Sequence, residues 1–354
     1  MEQSRALIAM SGGVDSSVSA YLMLQQGYAC MGAIMRLYDG NNEAVMSQNI
    51  EDARCVANRL GIPFHVLDMT ESFRTQVMGD FVRCYETGLT PNPCVQCNRC
   101  LKFGQFLDAA IALGCTHIAT GHYARIAKDP VSGRYLLQKA ADLTKDQSYF
   151  LYTLTQKQLS HTVFPLGGLT KEQARQIAVQ QGFVNARKQD SQDICFIPDG
   201  DYMAFLKRYT GKDYTAGDFL DLDGNVVGQH QGAVAYTLGQ RKGLGIALGK
   251  PAYVCSKDMT ANTVTVGPNE ALFHRTLLAD NWNWISMEAP EKPISVYAKA
   301  RSRMTEQPAT VYPEVNGSRR VVFDSPQRAL TPGQAVVLYD GDTVVGGGTI
   351  TEIL

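Results

Sequence analysis

The first 120 residues alternate between short apolar runs and amphipathic stretches, and this alternation constrains the fold more than any other feature. Apolar runs cover residues 7–10, 28–37 and 64–69, and the segment between the last two has apolar residues at 46, 50, 53, 57 and 60, on one helical face. Gly27 and Gly61 stand where two of the helices should end. Strands that take turns with helices predict a doubly wound parallel sheet, covered on both faces.

The pattern changes after about residue 125. Thr170 and Gln173 have the spacing of a capping box, which predicts a helix that runs to Gly182. Beyond residue 212, glycine-containing turns separate short runs of valine, tyrosine and threonine, a texture typical of small antiparallel barrels or sandwiches. We therefore expect an N-terminal α/β domain over residues 1–204 and two smaller, mainly-β domains, over 205–271 and 272–354, the last a β-barrel.

Composition excludes several classes of protein. The 354 residues include 45% hydrophobic and 19% charged residues, with no apolar run near the roughly 18 residues that span a bilayer. The N-terminus lacks the pattern of a signal peptide, so we expect a cytoplasmic protein without a membrane partner. Nine cysteines, an odd number in a long chain, favour reactive or metal-binding thiols over a disulfide framework. The net charge of −1 means that a nucleic acid would have to bind local patches, such as residues 122–208, with 12 Lys/Arg against 8 Asp/Glu.

A glycine- and serine-rich loop, Ser11-Gly-Gly-Val-Asp-Ser-Ser17, lies between the first predicted strand and helix. Its glycines allow a sharp turn, and its amides, hydroxyls and helix N-terminus suit a pyrophosphate group. It is not a Walker A loop, because no Gly-Lys-Ser/Thr follows. The alternative is a strand-to-helix turn with a serine cap. We expect an exposed, local loop in which substitutions leave the fold intact. A later run, Gly243 to Gly249, is faintly similar to a dinucleotide fingerprint, but its spacing and context do not fit.

Three cysteines, Cys94, Cys97 and Cys100, follow one another in a proline-rich loop, and Cys195 lies far away in the sequence. In a sulfur relay, one thiol accepts a persulfide and another attacks to release the sulfur; Arg99, Lys102 or a helix N-terminus would then lower a thiol pKa. A metal or iron–sulfur site also fits the spacing. The third interpretation is that the cysteines are incidental, which suits the remaining five: Cys30, Cys55, Cys84, Cys115 and Cys255.

The loop after the first strand resembles that of the PP-loop ATP pyrophosphatases, which split ATP to AMP and pyrophosphate while activating a carbonyl oxygen. The resemblance implies that ATP, with Mg²⁺, is consumed. Met35 would meet the adenine and Gly121 would complete the nucleotide pocket. The phosphates would be wrapped by Ala9, Met10, Ser11, Gly12, Gly13, Val14, Asp15 and Ser16.

Further motifs narrow the resemblance to the MnmA family of bacterial and organellar tRNA 2-thiouridylases, over nearly the whole chain. They are Thr90-Pro-Asn-Pro, Cys97-Asn98, Lys102-Phe103, Ala119-Thr-Gly-His-Tyr123, Lys145-Asp-Gln-Ser-Tyr-Phe150, Ser191-Gln-Asp-Ile-Cys-Phe196 and Tyr236-Thr-Leu-Gly-Gln-Arg-Lys-Gly-Leu-Gly245. The resemblance implies that Cys97 is catalytic and that Cys195 carries the persulfide. Many members have aspartate where this chain has Cys94, which strengthens the option of a [4Fe–4S] cluster held by Cys94, Cys97 and Cys195.

The family resemblance also implies the reaction: adenylation of the C2 oxygen of the wobble uridine, position 34 of the tRNA, then sulfur transfer and release of AMP. The sulfur would come from a persulfide donor, a cysteine desulfurase or a relay protein. Contacts with the extruded base would come from Asn92, Pro93 and Cys94. Other RNA contacts would come from His122, Lys145, Asp146, Gln147, Arg301, Ser302 and Gln334, although His122 could equally be structural and Ser302 a solvated surface residue.

Two rival hypotheses remain at this level. Another PP-loop ligase would explain the phosphate loop but leave Cys97 and Cys195 idle. A non-catalytic RNA-binding module with a structural metal would explain the cysteines and barrels but not the loop. ATP turnover that depends on tRNA separates all three.

Overall fold

The computed structural model describes residues 3–38, 43–189 and 194–354. The N-terminal part is built on a five-stranded sheet in the order β3-β2-β1-β4-β7, in which every pairing is parallel. Its strands are β1 (Arg5–Ala9), β2 (Ala29–Arg36), β3 (Phe64–Asp68), β4 (His117–Ala119) and β7 (Thr162–Val163). The helices of this part and of the junction after it are α1 (Val14–Gln25), α2 (Glu43–Leu60), α3 (Thr70–Phe73), α4 (Gly79–Glu86), α5 (Pro93–Cys97), α6 (Phe106–Ala112), α7 (Gln156–Ser160), α8 (Lys171–Gln180) and α9 (Tyr202–Thr210).

Alternate residues of the central strand β1 face two different cores. Leu7 and Ala9 pack into one cluster of buried apolar residues, whereas Ala6 and Ile8 pack into another. A strand that is buried on both faces is the mark of a doubly wound sheet, so the predicted fold class is confirmed. The local signals also hold. Gly27, Gly61 and Gly182 have φ angles of 85°, 66° and 62°.

The predicted capping box at the start of α8 is confirmed, with the Thr170 side chain and the Gln173 side chain each bonded to the other's backbone amide. A second capping box, Thr155 with Gln158, starts α7 and was not predicted. Both satisfy amides that a helix N-terminus leaves without partners.

The three clustered cysteines lie on a helical segment, not in a loop as expected. Helix α5 begins at Pro93, after the cap residue Asn92, and continues as a π-helical stretch over Asn98–Gln105 into α6. A second π-helical stretch, Arg74–Met78, joins α3 to α4. Such stretches shift side chains away from 3.6-residue spacing. The apolar spacing predicted a helix only from residue 103, and the first ten residues of the helical segment were therefore not predicted as helix.

The central part forms a four-stranded sheet in the order β10-β11-β8-β9. Its strands are β8 (Gly217–Leu220), β9 (Val226–His230), β10 (Tyr253–Asp258) and β11 (Thr263–Gly267). The β11–β8 pairing is parallel, whereas the sequence texture predicted antiparallel pairs throughout. The crossover from β8 to β11 passes through β9 and β10, so turn spacing alone could not reveal it. The boundary expected near residue 205 falls inside α9 and stays a prediction.

The C-terminal part is a closed antiparallel barrel, as expected. Strand β12 pairs with both β15 and β17, which closes the order β12-β15-β14-β13-β16-β17 into a ring. Its strands are β12 (Phe273–Trp284), β13 (Ile294–Lys299), β14 (Gln307–Pro313), β15 (Arg319–Arg328), β16 (Ala335–Asp340) and β17 (Thr343–Ile353).

A hairpin from the N-terminal part extends this sheet. Strands β5 (Arg125–Lys128) and β6 (Tyr135–Gln138) pair with each other, and β6 joins β17. Lys139 reinforces the junction: its Nζ lies 2.7 Å from a Glu306 carboxylate oxygen and its amide donates to the Asp342 carbonyl at 2.9 Å. Nothing in the local sequence predicted this partner, because pairing across more than 200 residues has no local signal.

Within the described residues, none of the helices combines the length and the apolar character that crossing a membrane would need.

Candidate functional site

The glycine- and serine-rich loop lies where β1 ends and α1 begins, at the carboxyl edge of the parallel sheet. Gly13 caps α1 without a side chain, so the first amides of the helix are open to an anion. Two serine hydroxyls, those of Ser16 and Ser17, each donate to the Gly13 carbonyl at 3.0 Å, and the Ser11 amide donates to Ser16 Oγ at 3.1 Å. The turn is therefore fixed before any ligand arrives.

The loop is largely buried, contrary to the expectation of an exposed, local turn. Met10 is 1% exposed, and Val14 and Ser16 are also buried. Ser11, by contrast, is exposed. Gly12 has a φ of 73°, and a Cβ there would lie 2.5 Å from the Asn49 carbonyl oxygen, so glycine is required.

Asp15 has two partners that sequence reasoning missed. Lys171 Nζ lies 2.8 and 2.7 Å from the two carboxylate oxygens, and the Tyr123 hydroxyl donates to Oδ1 at 2.9 Å. Lys171 is only 9% exposed, and it is the first residue of α8. The pair ties the start of α1 to α8, and it gives the loop a structural role beside any role toward ATP. Tyr123 belongs to a family motif, but Lys171 carries no sequence signal beyond its place after the cap.

A second tie reaches the loop from the segment after α8. Asn185 Nδ2 donates to the Gly12 carbonyl at 3.0 Å and to Ser17 Oγ at 2.9 Å. Lys188 Nζ donates to the same carbonyl at 3.2 Å and lies 2.7 Å from an Asp52 carboxylate oxygen. Sequence reasoning also missed these two residues, and no local signal marks them.

Gly121 lies against the loop, and Met35 lies on the strand next to the one that leads into it. Met35 is half-buried near the carboxyl end of β2, the strand next to β1. A Cβ on Gly121 would lie 2.9 Å from the Ser16 amide nitrogen. Glycine at this position therefore keeps one of the first amides of α1 clear. Their contacts with a nucleotide stay predictions.

The two predicted working thiols lie in one aromatic-walled region. Phe196, the residue after Cys195, is buried with ring centroids 5.6 Å from Phe73, 5.3 Å from Phe81 and 5.0 Å from Phe205. Cys97 belongs to the same core cluster. Because α3 and α4 pack on Phe196 and lead directly into the cysteine helix, the distant Cys195 is brought to that helix by tertiary packing.

Protein surroundings disfavour the thiolate at both positions. Burial raises the pKa of Cys97, and the nearby Lys102 ammonium offsets this only in part. Cys195 keeps solvent contact, yet the protein packed around it raises the pKa of its thiol to about 12, and the negative charges of Cys97 and Cys94 thiolates act in the same direction. Lys102 does lower the pKa of Cys97 and of Cys195, as expected, but desolvation outweighs it, so that the net pKa of both thiols is raised.

This electrostatic state predicts how Cys195 reacts with iodoacetamide. Because the thiolate is the nucleophile, alkylation of Cys195 in the ligand-free protein should rise about ten-fold per pH unit from pH 7 through pH 9.5, without a plateau. Peptide mass spectrometry would follow the labelled fraction, with free cysteine as the reference that levels off above its ordinary pKa near 8.5. A plateau of Cys195 labelling near neutral pH would contradict the raised pKa.

The iron–sulfur hypothesis requires Cys94, Cys97 and Cys195 to converge on one metal. Cys94 is exposed on the first turn of α5, whereas Cys97 is buried at its end. In the ranges 3–38, 43–189 and 194–354, no group of three or more His, Cys, Asp or Glu side chains is close enough to hold a metal ion. The described side chains therefore do not fit a cluster in this arrangement.

Several predicted RNA contacts already have partners inside the protein. Asp146 accepts hydrogen bonds from the amides of Ala140 and Ser148, and Gln147 Oε1 accepts one from the Tyr123 amide at 3.0 Å. Lys145 is half-buried beside them. These residues form a turn that supports the Tyr123 hydrogen bond to Asp15, and their contacts with RNA stay predictions.

His122 lies between the rings of Phe103 and Phe164, with its Nδ1 2.7 Å from Thr120 Oγ1. Burial and the charge of Lys102 lower its pKa well below the ordinary value, so the ring is neutral near pH 7. A neutral imidazole cannot pair with phosphate by charge. In this structure His122 has the packing of a structural histidine.

In the C-terminal part, Gln334 Nε2 donates to the carbonyls of Thr90 and Pro91 at 3.0 and 3.1 Å. It therefore ties the barrel to the start of the cysteine helix, next to Asn92 and Pro93. Arg301 is half-buried and donates to the Ala329 carbonyl, whereas Ser302 is exposed.

Comparisons with known proteins agree with this geometry. Family models match in three consecutive blocks: a tRNA methyl transferase HUP domain at residues 4–199, a tRNA methyl transferase PRC-barrel domain at 203–268 and an aminomethyltransferase beta-barrel domain at 274–350. The tRNA-specific 2-thiouridylase MnmA of Heliobacterium modesticaldum is 49% identical over 98% of this chain and 92% of its own length. The chain belongs to the MnmA family. The MnmA proteins of Clostridioides difficile and Acetivibrio thermocellus are 46% and 47% identical, over 99% of this chain and 99% and 100% of their own lengths.

Membership in the MnmA family makes this chain a member of a family of sulfurtransferase enzymes. The matches extend through the parallel sheet, the central sheet and the barrel, which excludes the hypothesis that only the phosphate loop is shared with another ligase.

Proposed function

We propose that this protein catalyses ATP-dependent 2-thiolation of the wobble uridine of tRNA. The observation that carries the proposal is the meeting of Cys97 and Cys195 in one packed region of a chain that also has an anion-binding loop at the edge of its sheet. A phosphate loop alone fits many ligases, and a cysteine pair alone fits many redox proteins. Their combination fits a reaction that both adenylates and transfers sulfur.

Adenylation comes first in the proposed reaction. The C2 oxygen of the uridine attacks the α-phosphorus of ATP, the bond to the β-phosphate breaks, and pyrophosphate leaves. The open amides at the start of α1 stabilise the leaving pyrophosphate. Mg²⁺ would be held mainly by water and phosphate oxygens rather than by a protein cage, and it would neutralise charge on the phosphates. Asp15 is the only carboxylate within the loop, and Lys171 already neutralises it.

Sulfur transfer follows. A protein donor of the cysteine desulfurase class leaves a persulfide on Cys195, and its terminal sulfur attacks C2 while AMP departs with the former C2 oxygen. Cys97 then attacks the Cys195 sulfur, which breaks the S–S bond, frees the 2-thiouridine and leaves a Cys97–Cys195 disulfide. A dithiol reductant restores both thiols. Serving as nucleophile requires that Cys97 lose its proton, and the positive charge of Lys102 favours that loss.

The uridine must leave the anticodon stack to reach a buried thiol. We propose that Asn92, Pro93 and the exposed Cys94 contact the extruded base, since they form the first turn of the helix that carries Cys97. Lys145, Ser302 and the half-buried Arg301 would then contact the RNA backbone. We derive no step through an iron–sulfur cluster, because the described cysteines do not converge on a metal position.

The test of the proposal is a reconstituted reaction. Protein purified anaerobically, then stripped of iron with a chelator, is expected to convert wobble uridine to 2-thiouridine when given tRNA, ATP and a persulfide-loaded cysteine desulfurase. AMP and 2-thiouridine should form in equal amounts, as measured by nucleoside mass spectrometry and chromatography. AMP formation should require the tRNA.

Two outcomes would change the conclusion. ATP turnover that ignores tRNA would favour another PP-loop ligase. Thiolation that scales with iron content, and disappears in Cys94→Ala, would replace the persulfide relay by a cluster-bound sulfide.

A further inference from the structure

A glycine-rich loop of the central part carries exposed positive charge that the proposed reaction does not use. Residues 224–257 contain no aspartate or glutamate, although the whole chain has 34 acidic residues. The same stretch contains Arg241, Lys242, Lys250 and Lys257. In a chain with a net charge of −1, this is a local excess of four positive charges. We call residues 239–252, which precede β10, the basic loop.

Three of these cations project from the basic loop into solvent. Arg241, Lys242 and Lys250 are exposed, and in the part of the chain that the structure describes none of them forms an ion pair. Arg241 and Lys250 line an open depression of about 270 Å³. The remaining lining consists of two glycines, Gly243 and Gly245, and of apolar residues. Exposed cations beside an open depression suit anionic oxygens.

The loop is held in place, so its charges have defined positions. Leu244 is buried in the core of the central sheet, and Ile246 packs against it at the position where a Cβ on Gly228 would meet its side chain. Lys257 Nζ donates to the Tyr236 carbonyl at 2.8 Å, just before the loop begins. Gly243 and Gly245 have φ angles of 76° and 71°, which only glycine adopts without strain.

The basic loop is continuous with the cysteine site through the barrel. At Gly239 a Cβ would lie 2.9 Å from Ala329 Cβ and 3.6 and 3.9 Å from guanidinium nitrogens of Arg328 and Arg301. A few residues along the chain from Ala329, Gln334 bonds the start of the cysteine helix. A strip of residues, buried at Ala329 and Pro91, therefore connects the exposed loop and the exposed Arg328 with the start of α5.

We propose that the basic loop, together with Arg328, binds the phosphate backbone of the tRNA whose uridine reaches the cysteine helix. The proposal rests on the proposed function and names a contact that supports it. An RNA occupant is favoured over a protein because the loop has no aromatic residue and its larger apolar side chains are turned toward the core. Phosphate neutralisation needs only cations and amides, and it carries no sequence preference.

The test is the salt dependence of tRNA binding by the double variant Arg241→Gln/Lys250→Gln. Each lost phosphate contact should reduce the slope of log K against log salt concentration by about 0.7–0.9 and the affinity near 0.1 M salt by roughly ten-fold. The variant is therefore expected to bind tRNA at least ten-fold more weakly, with a slope smaller by about 1.5. In thiolation assays KM for tRNA should rise while kcat stays close to wild type. ATP affinity should not change.

The matched control is Lys128→Gln/Lys157→Gln, which removes two exposed lysines from the N-terminal part. Arg328→Gln is a second variant on the same strip, and circular dichroism and thermal melting verify that each variant folds. An unchanged salt slope in Arg241→Gln/Lys250→Gln, or an equal loss in the control, overturns the inference. An unchanged slope with slower sulfur uptake from the desulfurase would assign the loop to a protein partner instead.

The two proposals fail in different ways. Wild-type protein that binds tRNA through the basic loop but does not thiolate it would remove the proposed reaction and keep the binding surface. Wild-type protein that thiolates tRNA, beside a variant that binds tRNA equally well, would remove the binding surface and keep the reaction.

Discussion

Cys195→Ser is expected to abolish 2-thiouridine formation while pyrophosphate is still released from ATP in a tRNA-dependent single turnover. A serine hydroxyl cannot carry a persulfide, so sulfur transfer stops, whereas adenylation uses the separate loop at the start of α1. Serine has nearly the shape of cysteine, and the buried Phe196 still anchors the segment. Cys97→Ser should show the same separation, except that the persulfide on Cys195 should still form.

Labelled sulfur from the donor distinguishes the two thiols. Mass spectrometry of wild-type protein and of Cys97→Ser should find the label on Cys195. Cys100→Ser is the matched control, since Cys100 is half-buried on the same helical segment and has no assigned role. Recovery of the label on Cys100 or Cys94, or wild-type thiolation by Cys195→Ser, would contradict the assignment of the carrier.

Asp15→Ala is expected to stop tRNA-dependent AMP formation and also to destabilise the protein. The substitution removes the Asp15 carboxylate from the Lys171 ammonium, which is only 9% exposed. Removing one partner of a buried pair costs roughly 3–5 kcal/mol, and the lower end applies here because Asp15 is partly exposed. Chemical denaturation would measure the loss, and a coupled pyrophosphate assay would measure the activity.

Loss of activity through instability must be separated from loss through chemistry. The double variant Asp15→Ala/Lys171→Met removes both charges and should recover most of the stability without recovering activity. Asp15→Asn can keep the hydrogen bond from Tyr123 and serves as the conservative comparison. Undiminished AMP formation in Asp15→Ala would overturn the pyrophosphatase assignment.

Local sequence patterns were sufficient to predict the helices and helix ends that are determined by neighbouring residues. Apolar spacing predicted α2, glycines predicted where helices end, and Thr170 predicted the start of α8. Long-range relations had no such signal. The partners of Asp15 come from residues more than a hundred positions away, and the raised pKa of Cys195 depends on packing around it that the sequence does not print.

The same distinction between local and long-range causes applies to the candidate site. Motifs identified Cys97, Cys195 and the phosphate loop as candidate site residues, and their roles stay predictions. The motifs could not show that the side chains of Gln147 and Gln334 form hydrogen bonds within the protein, because hydrogen bonding and exposure depend on the folded structure. The charge count in the sequence likewise missed the basic loop, because the local count covered only residues 122–208.

The hairpin β5–β6, inserted into the edge of the barrel sheet, has a consequence for how the molecule can move. The core that contains Leu7 of the first strand also contains Val337 and Tyr339 of the barrel, so both ends of the chain share one interior. Such a body resists hinge bending, because any rotation would open packed surface to water. The distance between the cysteine helix and the outer face of the barrel is therefore expected to stay constant. In the proposed reaction, we therefore expect the conformational adjustment to come from the anticodon loop of the tRNA.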